Sequence, residues 1–428
     1  MLGIHYAVLC PTRSTVQTMP ILHRTQTLSA LMPRFVERFR CIGPSCEDTC
    51  CSGWIVQVDK KTYKAYRKES VPALENMVAN TVRLDEMTSN GGYAVIRPVG
   101  ELKQCPALAD GMCSVQSNLG ESYLPNVCHS YPRTNRRLHG QVEQTITLSC
   151  PEAARLALLA EDAFEFVETP VHLRGSALLE VSQCAGVTPE LMVETRIFCL
   201  NLMRTRELAL WQRLAILGTF CDALTHLCIR NEQATIPALI NDFVHLIENG
   251  ELLATLNSIQ PNHEAQAMVF ATLWAAKGFD TVSPFQKSMI EQIASKFGAD
   301  VYGQVSAERL VTAYRHGLER LDEALLEAPW FLENYVVNEM FSQLVPFNGN
   351  NPYESYLRLI ARFGLLRTLL AVQCNTAGDV PPLATLAATA QMQCRRFQHD
   401  PAYSNRVKDS LFESGWAEMS KLYTLLRT

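Results

Sequence analysis

The spacing of apolar residues changes near residue 150. Before that point they come in short alternating runs separated by turns. Trp54-Ile55-Val56-Gln57-Val58 has β character, and Asp59 is placed to cap a following helix that carries Tyr63 and Tyr66. Asn90-Gly91-Gly92 marks a turn before a strand at 93–97. Residues 141–148 alternate, with Val142, Ile146 and Leu148 apolar, and predict another strand. From Cys150 onward the spacing is helical. Pro151 suits a first helical position, and 153–167 continues with little to break it. Thr188-Pro189-Glu190 reads as a cap and first turn, and Ser283-Pro284-Phe285-Gln286 has capping-box spacing. Gly250 is placed to end a helix beginning near Pro237, and 309–327 is a long amphipathic pattern. No fixed-period repeat marks a solenoid. The predicted class is α+β, mainly α. A mixed, cysteine-rich domain is expected at 34–155 and an α-helical domain at 156–428. Residues 1–33, Thr-rich with Pro11, Pro20 and Pro33 and without clear periodicity, are expected to be a poorly ordered leader.

Composition narrows the function. The chain has 428 residues, 47% hydrophobic and 19% charged, enough for two domains and a sizeable core. A formal net charge of −5 argues against a general nucleic-acid binder. No apolar run reaches the length of a membrane span. Met1 to Cys10 is too short and uncharged for a signal peptide, so a reducing cytoplasmic setting is expected. Clustered cysteines there read as metal-binding or redox-active before they read as disulfides.

Such a cluster is present. Eight of the fifteen cysteines fall between 41 and 150: Cys41, Cys46, Cys50, Cys51, Cys105, Cys113, Cys128 and Cys150. The first group surrounds a Gly43-Pro44-Ser45 loop, Cys105 precedes Pro106, and Cys113 follows Gly111, so the thiols arise from turns. Structural zinc typically uses paired C-x2-C knuckles, and none occurs here. A [4Fe–4S] cluster needs four thiolates and tolerates irregular spacing, so the pattern favours a cluster, with zinc as the second reading. Four of the eight suffice as ligands. The C-x3-C-x2-C signature of radical enzymes is missing, because Cys46-x3-Cys50 is followed at once by Cys51 and position 53 is Gly53.

Other residues carry candidate chemistry, each beside a plainer role. Arg133 is suited to grip a cofactor carboxylate or to hydrogen-bond cluster sulfides; a structural turn explains it equally. Trp54 and Tyr131 are suited to an aromatic wall for a sulfonium or amine, or simply to packing beside the metal. Asp48 or Glu47 is a candidate base, or an exposed loop acid. Lys60, Lys61, Lys64, Arg67 and Lys68 suit an acidic partner or a solvated helix face, as do Arg136 and Arg137. Asn334, Tyr335 and Asn338 share a helical face that either lines a cleft or hydrogen-bonds between helices. Cys199, Cys221, Cys228, Cys374 and Cys394 read as core thiols. No Gly-rich loop follows a strand as a Rossmann cofactor site requires. No residue stands out as catalytic, and no oligomeric state is predicted.

Several motifs together resemble a known family. They are Phe39-Arg40-Cys41, Cys46-Glu47-Asp48-Thr49-Cys50-Cys51-Ser52-Gly53-Trp54, Cys105-Pro106, Gly111-Met112-Cys113 and Cys128-His129-Ser130-Tyr131-Pro132-Arg133. With Leu148-Ser149-Cys150-Pro151-Glu152 and Glu333-Asn334-Tyr335-Val336-Val337-Asn338 they resemble the flagellin lysine-N-methylase family, within a broader cysteine-rich, zinc- or iron-chelating superfamily. The likeness runs from about Phe35 to the C-terminus. It implies an S-adenosylmethionine-dependent enzyme that methylates lysine side chains of flagellin, with a [4Fe–4S] cluster held by the cysteines. The alternatives are a non-catalytic zinc- or iron-binding module and an iron–sulfur electron-transfer protein. Methylation also sets a chemical demand: the lysine must lose its proton, because an ammonium has no lone pair.

Overall fold

The computed structural model describes residues 21–69, 71–84, 92–182, 184–277, 283–298 and 304–428. A mixed N-terminal half precedes an all-helical half, as the spacing predicts. The N-terminal half is built on a five-stranded sheet with the order Leu178–Val181, Arg133–Leu138, Gln141–Ile146, Gln26–Pro33, Phe166–Leu173. Gln26–Pro33 runs parallel to Gln141–Ile146 and antiparallel to Phe166–Leu173, with Ala30 opposite both Val142 and Thr169. A second sheet pairs Val56–Val58 and Thr81–Arg83 with Ala94–Ile96.

Local signals are obeyed where they are strong. Asp59 caps the helix Lys60–Lys68 by accepting from the Lys61 and Thr62 amides, each at 3.0 Å. Thr188 and Ser283 cap Pro189–Met203 and Pro284–Lys296. Gly250, at φ +68°, follows the end of Ile236–Glu248 in the left-handed conformation. The Asn90-Gly91 turn lies outside the described residues.

Tertiary contacts overrule the pattern in two places. The expected leader at 1–33 contains the strand Gln26–Pro33, which lies inside the sheet rather than loose; Ala30 and Met32 are buried by its neighbours. Polar Thr27 and Ser29 and the terminal Pro33 weaken its β signal, and pairing on both sides supplies what propensity lacks. The helix expected through 153–167 stops at Leu159. There the Asn334 amide donates to the carbonyls of Ala157 and Ala160 at 2.9 and 3.0 Å, satisfying groups that a helix end leaves unpaired. The chain then enters the strand Phe166–Leu173, so the mixed half extends past residue 155.

Two apolar cores result. The larger runs without interruption from Ala30, Phe35 and Ile146 in the sheet half into the helices. The smaller gathers Val56, Val58, Tyr66, Ile96, Val115 and Tyr123, with Cys105, Cys113 and Cys128 packed against it. A core of that size benefits from a covalent or metal staple. Among the described residues no helix is long and apolar enough to cross a membrane.

The helix Pro352–Cys374 is the axis of the helical half and packs on Ala307–Ala324, Leu210–Ile229 and Leu383–Phe397. Gly317 marks its closest approach: a Cβ there would stand 1.9 Å from the Ala371 carbonyl oxygen, a backbone atom that cannot swing away. Gly317→Ala gains about 1 kcal/mol of helix propensity but must push two helices apart, which costs about 1–3 kcal/mol. We expect a lower thermal unfolding midpoint; an unchanged or raised midpoint would show that the helices separate freely.

Candidate active site

The helix Leu383–Phe397 packs on Pro151–Leu159 and ends against the cysteine loop. A cleft of about 440 Å³ opens at that junction, within the range of about 300–1,000 Å³ typical of small-molecule sites. Cys50, Trp54, Tyr131 and Ser149 line it from the N-terminal half. Arg395, Arg396, His399 and Asp400 line it from the helix end, and Lys277 from a neighbouring helix terminus.

Asp48 joins the two sides. Its side chain is buried and accepts from Ser283 Oγ at 2.6 Å, Gln286 Nε2 at 3.1 Å and Gln391 Nε2 at 2.9 Å. Arg395 completes the shell at 3.0 Å and also donates to the Asp48 and Ser52 carbonyls. Asp48 is therefore neither an exposed loop acid nor a free base. Glu47 is exposed and paired with Arg155 at 2.5 Å. Gln391 extends the network by donating to the Ser149 carbonyl at 2.9 Å.

Trp54 and Tyr131 stand together on one wall of the cleft. Their ring centroids stand 5.7 Å apart, and Trp54 Nε1 donates to the Cys50 carbonyl at 2.6 Å. Tyr131 OH lies 3.1 Å from Ser149 Oγ, which in turn lies 2.9 Å from His399 Nε2. Burial, then the charges of Arg395 and Arg362, holds the His399 imidazole below its ordinary pKa. The ammonium of Lys277 bonds to Asp400 and holds that carboxyl below the usual range. Arg133 stands apart from this group: its guanidinium lies over the Phe39 ring at 4.9 Å, in a second cleft with Arg40 and His129. It does not reach the wall formed by Trp54 and Tyr131.

All eight crowded cysteines are free thiols. Cys50, Cys51, Cys105, Cys113 and Cys128 lie within one another's electrostatic reach. The Cys105 amide donates to the Cys51 carbonyl at 2.8 Å, which knits two of the loops together. A hydrogen bond from the Cys51 thiol holds Cys50 down at about 7, while burial pushes Cys105, Cys113 and Cys128 up. Cys46 and Cys150 adjoin this group, and Cys41 is exposed. The donor type suits iron–sulfur or zinc chemistry. Among the described residues, however, no three His, Cys, Asp or Glu side chains are grouped closely enough to hold one metal ion.

The remaining candidates take structural places. Arg136 is buried on Glu143 at 2.7 Å rather than on a solvated face, and Arg137 pairs with Glu180. Asn334 closes a helix end, and Tyr335 donates to Gln393 at 3.2 Å inside the core. Cys199, Cys221, Cys374 and Cys394 are buried. The basic run at Lys60–Lys68 leaves Lys60, Lys61, Arg67 and Lys68 largely in solvent.

The part of the chain that brings Arg395, His399 and Asp400 to the cleft also decides the family. Residues 196–425 match the FliB lysine N-methylase C-terminal domain. The chain belongs to the FliB lysine N-methylase family. It is thus a methyltransferase, and the alternatives of a non-catalytic metal module and an electron carrier fall away. Over 361 residues it is 23% identical to a lysine-N-methylase of Salmonella typhimurium strain LT2, covering 81% of this chain and 86% of the relative. A lysine-N-methylase of Salmonella choleraesuis strain SC-B67 matches at 23% over 359 residues, with the same coverage. The flagellar biosynthetic protein FliU of Salmonella muenchen is 32% identical over 147 residues, 34% of this chain and 86% of that protein. No solved structure matches.

Sequence reasoning did not single out Ser149, Lys277, Gln391, Arg395, His399 or Asp400 as site residues. The one local mark is Gln398-His399-Asp400-Pro401, a polar break after an amphipathic helix.

Proposed function

We propose that this FliB-family methylase transfers methyl groups from S-adenosylmethionine to lysine side chains of flagellin, in the cleft between the cysteine loop and the helix end at 397–400. The observation that carries the reading is the placing of the Trp54–Tyr131 pair opposite residues of the family-matched helical region. The relatives named as lysine-N-methylases and as a flagellar biosynthetic protein support the substrate. Encounter would take place in the cytoplasm, before the filament protein is exported.

S-adenosylmethionine, when bound, supplies an electrophilic methyl group on a sulfonium. The chain supplies its surroundings. The ring faces of Trp54 and Tyr131 attract a cation through their quadrupoles. Arg395 and Lys277 line the same cleft, each held by a carboxylate of the chain, Asp48 and Asp400. Walls that exclude water disfavour the charged form of an entering lysine. The eight cysteines are the donor type for an iron–sulfur cluster, and Cys105, Cys113 and Cys128 among them pack against the small core. There the cluster would staple a core too small to be rigid alone.

The test incubates anaerobically purified enzyme with S-adenosylmethionine and flagellin and reads methyl-lysine by mass spectrometry. Product supports the reading; no product from iron-replete protein ends it. About four irons per chain and a broad absorption near roughly 400 nm support the cluster, whereas stoichiometric zinc or no metal removes it. Trp54→Ala is expected to weaken S-adenosylmethionine binding about 3- to 30-fold, the size of a desolvated cation–π contact. Calorimetric titration checks this, and an unchanged Kd takes Trp54 out of the cofactor site.

A further inference from the structure

We propose that His399 takes the proton from the substrate amine, with Ser149 and Tyr131 orienting its ring. The inference deepens the methyl-transfer reading and rests on it. Methyl transfer needs a neutral amine, and an acceptor for the departing proton must face the cleft. The acids nearby are already engaged. Asp48 is filled by four donors, Glu47 pairs with Arg155, and Asp400 pairs with Lys277. Glu101 and His399 both line the cleft and are both exposed, but His399 is anchored by its bond to Ser149, whereas Glu101 has no bonded partner among the described residues. His399 lines the cleft, is bonded through Nε2 only, and has no partner for Nδ1 among the described residues.

The hydrogen bonds around it can be counted. Thr147 has one hydroxyl hydrogen, which goes to Gln398 Oε1 at 2.5 Å because that oxygen only accepts. The same hydroxyl also points at Ser149 Oγ, 3.0 Å away, and its oxygen accepts from the Ser149 amide at 3.2 Å. With the hydrogen of His399 on Nε2, that nitrogen donates to Ser149, and Ser149 passes its own hydrogen to Tyr131. The Nδ1 lone pair is left without a hydrogen-bond partner among the described residues. When Nδ1 gains a proton, the Nε2 bond to Ser149 persists and the new N–H faces solvent, since His399 is exposed, so neither charge state strands a donor. The backbone on both sides is fixed. Gln398 donates to Glu339 at 3.0 Å, and Asp400 caps the next helix by accepting from the Tyr403 amide at 2.8 Å.

The local field keeps the acceptor empty. Burial and the charges of Arg395 on the preceding helix and Arg362 on Pro352–Cys374 favour the neutral ring. The other titratable groups facing the cleft are the Lys277–Asp400 pair, Glu101, Lys103, Tyr131, Cys50 and Arg396. A net positive surrounding disfavours the substrate ammonium as well as the imidazolium, so both lose protons more readily and the field does not oppose the transfer. In the step itself, an ammonium N–H bond breaks and a bond from that hydrogen to Nδ1 forms. The freed amine lone pair then attacks the sulfonium methyl carbon. An N–C bond forms as the C–S bond breaks, and sulfur keeps the electron pair as a neutral thioether.

The experiment measures kcat/KM against pH for the full-length enzyme and for His399→Gln. Wild type should gain rate as pH rises through an acid limb of unit slope centred below the ordinary imidazole value of about 6.5. His399→Gln should lose the limb and about 10²–10⁴ in kcat, while its Kd for S-adenosylmethionine stays within about twofold. Added imidazole should restore part of the rate of His399→Ala, which a purely structural role would not allow. A wild-type rate independent of pH across that range overturns the proposal without any variant. So does a His399→Gln enzyme within about threefold of wild type that keeps the limb. If wild type makes no methyl-lysine at all, the methyl-transfer reading has failed, not this assignment.

Discussion

Asp48→Ala is expected to lose about 3–5 kcal/mol of stability, the usual result of removing one partner from a buried charged network, and to lose activity with it. The carboxylate takes Ser283, Gln286, Gln391 and Arg395 into one shell with no measurable exposure of its side chain. Alanine would leave a guanidinium, two amides and a hydroxyl facing a void. Arg395 would also lose the anchor that directs it to the Asp48 and Ser52 carbonyls, and the Cys46–Cys51 loop would come away from the helix end. Because that loop carries Trp54 to the cleft, cofactor binding should fall together with stability. Glu47→Ala is the contrast: its ion pair with Arg155 is about one-third exposed and should be worth only about 0–1 kcal/mol. Urea midpoints of the two variants check both values. Equal effects would mean that the Asp48 shell is wet and weak in solution.

The same pair shows where sequence reading stops. Asp48 and Glu47 are adjacent acids in one loop, and nothing local tells them apart. What buries Asp48 lies 235 to 343 positions away, at Ser283 and Gln391. Signals that act over a few residues were readable: the Asp59 and Ser283 caps, the strand at Val56–Val58, and the helix starts at Pro151 and Pro189. Trp54 and Tyr131 were legible as a pair because each stands next to a cysteine motif that folding draws together. Arg133, two residues beyond Tyr131, was grouped with them by sequence, but between the two the chain leaves the helix Asn126–Ser130 and enters the strand Arg133–Leu138, and Arg133 lines another cleft. His399 gave no signal, since a lone histidine after a helix acquires meaning only from Ser149, which is 250 positions distant. The strand Gln26–Pro33 was hidden for the related reason that both its pairing partners come from beyond residue 140.

The second large effect lies between the sheet and the helical half, where Glu143 holds Arg136 and Arg196. Both pairs measure 2.7 Å, and all three side chains are buried. The two guanidiniums stack over the Phe341 ring at 5.2 and 5.5 Å, and Arg136 donates to the Ser342 carbonyl, so the triad fastens the sheet to the helical half. Glu143→Ala should cost about 3–5 kcal/mol, because two buried cations lose their counter-charge. Burial alone would push the Glu143 carboxyl up, but Arg196 and Arg136 outweigh it and hold it below its ordinary range. A depressed folded pKa gives stability that is present above the unfolded value of about 4.3 and is lost as pH falls through the folded value. The gap between wild type and Glu143→Ala should therefore be full at neutral pH and close in acid. Replacing all three residues together with apolar side chains of similar volume should be nearly neutral or stabilising, since it removes the desolvation cost along with the attraction. If the triple replacement instead destabilises as much as the single one, packing on Phe341 rather than charge holds the two halves together.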